Sequence, residues 1–456
     1  MNYQPLTIRS DDRSLLTDLY ELAMTACYVS EGVAQRQASF ELFVRKMPDE
    51  FGYLIAMGLE QALDYLEHLQ FGEDQIAALQ ATGIFDHVPD AFWSLLQTAQ
   101  FTGDVWAVPE GTALFANEPF LRVEAPLWQA QVVETYLLNV INYQTLVATR
   151  AAQTRDVAGD EAQLLEFGTR RAFSPQGAMW AARAAIAAGF DSTSNVLAAL
   201  KLGQKPSGTM AHSLVMALSA LEGTEDQAFT AFLKCFPGAA LLIDTYDTVA
   251  AAERLAKQAQ SGELDVRAVR LDSGDLVSLS QQVRSLLPDV TIFASGDLNA
   301  QEIDRLRRAG ATINGYGIGT KLVTGHPVNG VYKLVEVDGV PTMKSSSSKV
   351  SYPGRKQVFR QLDHGQIVGD RLALADEPAN GNVPLLHLVM REGQRLYPTE
   401  DLGAIAQRTH QSVSSLPTTL RAVQRPQTLT PDISPNLKEL TKHTQAQIRE
   451  TYTGSK

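Results

Sequence analysis

The hexapeptide Gly208-Thr209-Met210-Ala211-His212-Ser213 sets one imidazole among small residues, and two downstream segments give it chemical company. Arg270-Leu271-Asp272-Ser273-Gly274-Asp275 supplies a guanidinium beside two carboxylates, and Tyr316-Gly317-Ile318-Gly319-Thr320 supplies a glycine loop. An imidazole titrates near neutral pH, so it can accept a proton, attack as a nucleophile or carry a phosphoryl group. Glycines at strand ends let backbone N–H groups converge on an anion, because no side chain holds a phosphate away. Ser295-Gly296-Asp297 is a second loop of this kind, and with Gly317, Gly319 and Thr320 it could clasp one phosphate. Asp272 and Asp275 flank a glycine and suit ribose hydroxyls or a magnesium ion, held directly or through water. Arg270 falls inside a strand end, where a buried cation needs an anionic partner. Arg170 and Arg171, just after Phe167-Gly168, add positive charge to the same rim. Each piece alone reads equally as a turn or a structural histidine. Their joint occurrence in one series of strand–helix units points to a polyanionic small substrate.

The elements that must position these residues follow from periodicity. Leu164–Phe167, Leu241–Ile243, Val266–Val269 and Val290–Phe293 are apolar strand-like runs. Each precedes an amphipathic helical segment: 176–188, 248–258, 276–287 and 299–309, with Thr312-Ile313-Asn314 closing the series. Units of this length predict parallel strands with helical crossovers, whose reactive loops lie beyond the carboxyl ends of the strands. Upstream, the spacing predicts helices over 15–29, 54–69 and 128–150, a strand over 38–44, and short strands broken by turns over 105–123. After Val331 the pattern is β-rich, with strands at 331–337 and 358–360, a serine-rich flexible loop at 344–353 and a peripheral arm from Arg421.

Composition narrows the classes. With 456 residues, 45% hydrophobic and 20% charged, the chain is a globular protein too long for one ordinary core. A net charge of -12 argues against duplex nucleic acid or an anionic membrane as partner. Only Cys27 and Cys235 are present, which fits a reducing compartment and no cysteine zinc site. The Met1–Thr7 terminus has no secretory pattern, and no apolar run reaches the roughly 18 residues of a membrane helix. A cytoplasmic protein is expected. Walker A and GxSxG sequences are absent, so P-loop and α/β-hydrolase chemistry have no support.

Taken in order along the chain, the motifs resemble those of the nicotinate phosphoribosyltransferase family. The resemblance runs through Leu16–Leu22, Phe40–Arg45, Glu166–Arg171, Gly208–Ser213, Asp244–Tyr246, Val269–Leu276, Gly317–Thr320 and Gly330–Leu334. It implies an α/β fold: an irregular β/α barrel over 126–330 carrying the active site, and a second α/β domain over 1–125 completed by 331–456. It implies ATP-coupled joining of nicotinate to phosphoribosyl pyrophosphate, with magnesium, in a cytoplasmic homodimer whose active sites borrow residues across the interface. His212 matches the histidine that ATP phosphorylates, with Asp272 and Asp275 as its catalytic company. Phe167, Thr209, Arg270 and, from the neighbouring subunit, Tyr20 match the nicotinate site. Thr320 matches a position that contacts phosphoribosyl pyrophosphate, and Arg170, Arg171, Gly296, Gly317 and Gly319 are expected to complete that site. An aromatic face with a guanidinium suits a planar anion such as nicotinate.

Three rival readings remain on the sequence alone. The related enzyme that takes nicotinamide keeps an Asp for the amide; that position falls on Ser194 here, although Asp191 nearby leaves the register open. Quinolinate phosphoribosyltransferase has a shorter chain and a more basic acid pocket. An inactive barrel that only binds nucleotides is disfavoured by intact His212, Arg270 and Asp272.

Overall fold

A computed structural model describes residues 6–346 and 349–453. They divide into two compact units, one of residues 1–145, 327–404 and 414–456, the other of residues 146–326 and 405–413.

The first unit holds a seven-stranded antiparallel sheet in the order Val340–Pro341, Gly330–Val337, Gln37–Val44, Pro119–Pro126, Asp104–Ala107, His387–Arg391 and Gln394–Arg395. The Gln37–Val44 strand lies inside this sheet, and everything from Ala38 onward is buried, Glu41 included. Glu41 tolerates that burial because Lys356 Nζ lies 2.8 Å from its carboxylate and Lys356 N donates to it at 2.8 Å. Phe40 stacks on Tyr332 at 4.9 Å, and the Tyr332 hydroxyl donates to Ala130 O at 2.8 Å.

Several predicted helices are shorter than their periodicity. The 15–29 run becomes a 3-10 turn, Ser10–Leu15, and a helix, Leu19–Ser30. The 54–69 run begins as the strand Leu54–Ile55 and turns helical at Leu59–Glu67. Gly58 makes that switch at φ 102°, where an added Cβ would sit 2.9 Å from Val140 O. The 128–150 run is two helices, Leu127–Val132 and Glu134–Ala158. Part of the expected serine-rich loop is a two-stranded ladder, Ser345–Ser346 with Lys349–Val350; Ser347 and Ser348 lie outside the described residues, as do Met1–Pro5. The expected arm contains a 19-residue helix, Pro435–Thr453.

The second unit is built on a six-stranded parallel sheet. Its order is Ser192–Thr193, Gln163–Glu166, Gly315–Ile318, Thr291–Ala294, Ala268–Leu271, Ala240–Leu242. No ladder joins its two edges, so ladder pairing does not close the expected barrel. Between the edges runs the 207–209 segment: Ser207 N donates to Thr193 O at 2.9 Å, and the Thr209 hydroxyl donates to Ala240 O. The last strand corrects the sequence reading. It spans Gly315–Ile318 and not 312–314, because the Asn314 side chain accepts from Ile292 N at 2.9 Å and Arg284 Nη2 at 2.6 Å before the ladder begins. Gly317 and Ile318 are therefore strand residues paired with Leu165 and Glu166, not loop residues. Among the described residues no helix is long and apolar enough to cross a membrane, and both cysteines are free.

Candidate active site

Parallel strands deliver their carboxyl ends to one edge of the sheet, and the candidate residues follow those ends. His212 opens the helix His212–Glu222 with its ring half-exposed. Its Nδ1 lies 3.1 Å from Thr245 Oγ1. Its Nε2 lies 3.9 Å from both Asp244 Oδ1 and Asp272 Oδ2. Asp244, just past the Ala240–Leu242 strand, is 2% exposed in its side chain. Its Oδ2 accepts from Asp272 N at 2.9 Å and from the Ser273 hydroxyl at 2.6 Å, while its Oδ1 has no hydrogen-bond partner. The Ser295 hydroxyl, on a residue 4% exposed, donates to Asp272 Oδ1 and so turns Oδ2 toward His212. A ring at the start of a helix and two carboxylates from separate strand ends thus meet at one point.

Arg270 projects from the Ala268–Leu271 strand, half-buried. Burial is the largest influence on its guanidinium and lowers its pKa; Asp272 and Asp244 oppose that shift, and Arg170 adds to it. Among the described residues its Nε has no hydrogen-bond partner. A half-buried guanidinium with an unused donor can take a further anion such as a carboxylate.

The alternatives at 191 and 194 separate cleanly. Asp191 stands before the Ser192–Thr193 strand, where its carboxylate accepts from Leu164 N at 2.6 Å and pairs with Arg155 Nη2 at 2.7 Å. Ser194 follows the strand, with its N–H on Glu166 O at 2.9 Å, and a Cβ added to Gly208 would lie 4.0 Å from Ser194 Cβ. Ser194 is at the carboxyl-end rim; Asp191 is at the opposite end. Thr209 spends its hydroxyl proton on Ala240 O, at the start of the Ala240–Leu242 strand.

Phe167 follows the Gln163–Glu166 strand, half-buried, with its N–H on Ile318 O at 2.8 Å. Arg170 and Arg171 are exposed on the turn beyond it, where Arg171 N donates to Gly168 O at 2.7 Å. Glu166 is buried, accepts from Gly168 N and from the Thr193 hydroxyl, and has its pKa raised by that burial. Gly296 stands at φ +88°, and a Cβ there would lie 2.2 Å from Asp272 O. Only glycine lets the 295–297 loop approach the 272 loop so closely. Gly319 precedes the short helix Thr320–Val323 at the end of the neighbouring strand. Asp275 is exposed and caps the helix Leu276–Leu286, its Oδ1 accepting from Val277 N at 3.2 Å. Tyr20 belongs to the other unit, on the helix Leu19–Ser30. Its ring is 44% exposed and its hydroxyl meets Glu134, with burial the main cause of its raised pKa. Beside it, burial pushes the Glu21 carboxyl up to about 7. Asp244 as a hub and Ser295 as an orienting donor escaped sequence reading, because Asp244 showed only as one more strand-end residue.

A parallel strand–helix unit that gathers imidazole, carboxylates and an unsatisfied guanidinium at one edge is the frame of an enzyme for a small anionic substrate. The chain matches the nicotinate phosphoribosyltransferase amino-terminal domain over residues 15–142, the nicotinate phosphoribosyltransferase family over 162–364 and the carboxy-terminal domain over 382–441. It belongs to the nicotinate phosphoribosyltransferase family. It is 41% identical to a nicotinate phosphoribosyltransferase of Mycobacterium tuberculosis over 92% of this chain and 91% of that protein. Against the Bacillus subtilis nicotinate phosphoribosyltransferase the identity is 38%, over 93% and 94% of the two chains. The crystal structure of human nicotinic acid phosphoribosyltransferase superposes with a TM-score of 0.81 at 29% identity, covering 94% of this chain and 99% of that one.

Proposed function

We propose that this chain is an ATP-coupled nicotinate phosphoribosyltransferase. It makes nicotinate mononucleotide and pyrophosphate from nicotinate and phosphoribosyl pyrophosphate, the first step of NAD salvage from nicotinic acid. The observation that carries the reading is the unpartnered Nε of half-buried Arg270 near Asp244 and Asp272, the two carboxylates that His212 faces. Such an unmet donor costs about 1–3 kcal/mol, which the carboxylate of nicotinate offsets. The names of the relatives support the same substrate pair.

In this reading the pyridine nitrogen attacks the anomeric carbon, and the bond to pyrophosphate breaks with its electron pair on the leaving oxygen. Asp272, oriented by Ser295, faces the ribose and its developing positive charge. Arg170, Arg171, Gly296, Gly319 and Thr320 hold the phosphates. Phe167, Thr209 and the partner subunit's Tyr20 line the ring site in a cytoplasmic homodimer. The 207–209 bridge between the sheet edges supports an irregular β/α barrel around the site.

Among the described residues no cluster of three or more His, Cys, Asp or Glu could hold a metal. Ser295 engages one Asp272 oxygen, and Val277 N engages one of Asp275. That donor set fits a magnesium ion shared between a carboxylate and the substrate's own pyrophosphate, not a protein cage. Bound there, magnesium would neutralise the departing pyrophosphate.

ATP coupling runs through His212. With Nδ1 held by Thr245, Nε2 attacks the γ-phosphorus, the bond to the β-phosphate oxygen breaks and ADP leaves; water later returns the imidazole and phosphate. The position of His212 in the first turn of an 11-residue helix favours the added negative charge. Pyrophosphate release from nicotinate, phosphoribosyl pyrophosphate and ATP tests the whole reading. With γ-labelled ATP the protein should carry an acid-labile, base-stable label. His212→Asn should lose the label and the stimulation by ATP yet still form product; a labelled mutant refutes the assignment.

Ser194 tests the choice of acid over amide. A carboxylate ~4 Å from that of nicotinate costs roughly 1–4 kcal/mol, so Ser194→Asp should lower kcat/KM for nicotinate at least about fivefold and raise relative use of nicotinamide. A wild-type preference for nicotinamide would overturn the substrate assignment.

A further inference from the structure

We infer that Gly317 is a positioning residue for the aromatic ring of Phe167, and not a phosphate-loop glycine. The inference rests on the reading of Phe167 as a wall of the nicotinate site. A Cβ built on Gly317 would lie 2.4 and 2.5 Å from two carbons of the Phe167 ring, and its three nearest atoms all belong to that ring. One edge of the ring therefore lies against the bare α-carbon of the neighbouring strand, where a single methyl would displace it. Glycine here answers a packing demand: the residue is a buried ladder member of the Gly315–Ile318 strand, without a left-handed backbone.

The main chain of Phe167 has no freedom to compensate. Its N–H donates to Ile318 O at 2.8 Å, and a Cβ on Gly319 would lie 3.1 Å from its carbonyl oxygen. On its other side, Gly168 N is bound by Glu166, and a Cβ on Gly168 would lie 2.3 Å from Val323 Cγ1. With the backbone held on both sides, only the ring torsions remain, and Gly317 limits them. The same strand repeats the device two residues earlier, where a Cβ on Gly315 would lie 2.5 Å from the Phe293 ring. Positions 315 and 317 share one face of the strand, so one glycine meets a ring from each neighbouring strand. Phe167 is only half-buried, which leaves ring surface beyond the seat for a planar ligand.

Gly317→Ala should raise KM for nicotinate about fivefold or more, the worth of a displaced aromatic stack, and leave KM for phosphoribosyl pyrophosphate within about twofold. Phe167→Leu should raise KM for nicotinate by itself, and adding Gly317→Ala to it should change nothing further. An effect on phosphoribosyl pyrophosphate alone, or an equal effect of Gly317→Ala in both backgrounds, overturns the proposal. Melting of the four proteins reads the seat without substrate: the Tm lost in Gly317→Ala should be largely recovered when Phe167 is also Leu, and additive losses overturn it. Should the wild-type protein turn over no nicotinate, the proposed reaction falls, and the melting cycle still decides the seat.

Discussion

Asp272→Ala is expected to lower kcat roughly 10²- to 10³-fold, the scale of one preorganised electrostatic partner of a transition state, with a normal circular-dichroism spectrum and Tm. The fold should survive because the contact tying this loop to Asp244 is made by the backbone N–H of Asp272, which alanine retains. What is lost is a carboxylate that Ser295 orients and that faces His212 Nε2 at 3.9 Å. The dependence on magnesium should change with it, since in the proposed reaction Asp272 faces the ribose and offers a carboxylate oxygen to the ion. An unchanged kcat with unchanged magnesium dependence would reduce Asp272 to a structural turn residue. A collapse of Tm would show that Ser295 and Asp272 hold the sheet edge together.

Arg270→Lys should raise KM for nicotinate roughly 10- to 100-fold, the cost of one or more lost hydrogen bonds to a charged group, with KM for phosphoribosyl pyrophosphate little changed. Lysine is the informative substitution. It keeps a positive charge near Asp244, whose carboxylate is nearly inaccessible, whereas an apolar residue would strip that carboxylate of its neighbour. The ammonium lacks the planar fork that meets a carboxylate with two parallel donors. Steady-state kinetics with each substrate varied separately decides the matter. Equal rises in both constants would assign Arg270 to the architecture of the sheet edge instead of to nicotinate.

Much of the site was legible along the chain, because its determinants are local. An apolar run followed by an amphipathic helix identifies a strand and its crossover, and the residue after each run must then lie at a carboxyl end. That logic located Arg270, Asp272 and Gly296, and the structure brings His212, marked by its own motif, to within 3.9 Å of Asp272. It could not rank Asp244 above its neighbours. Nothing near Asp244 in sequence states that Asp272 N, 28 residues onward, will donate to it. Nor could it choose between Asp191 and Ser194, three residues apart, until pairing put one against Leu164 N and the other against Glu166 O.

The Gly315–Ile318 strand shows where the division falls. Tyr316-Gly317-Ile318-Gly319 has the composition of a loop, and periodicity alone places the strand at 312–314, three residues before its start at Gly315. Glycine weakens a strand when its empty position stays empty. Here the Phe293 and Phe167 rings occupy the spaces that side chains at 315 and 317 would need, and ladders on both sides hold the backbone extended. The sequence by itself determined the kinds of groups available and the order in which strand ends deliver them, since both follow from composition and short-range periodicity. Only the tertiary structure decided which glycines serve a backbone turn and which serve a neighbour's ring, because that depends on atoms roughly 150 residues away in the chain, brought within contact by parallel pairing.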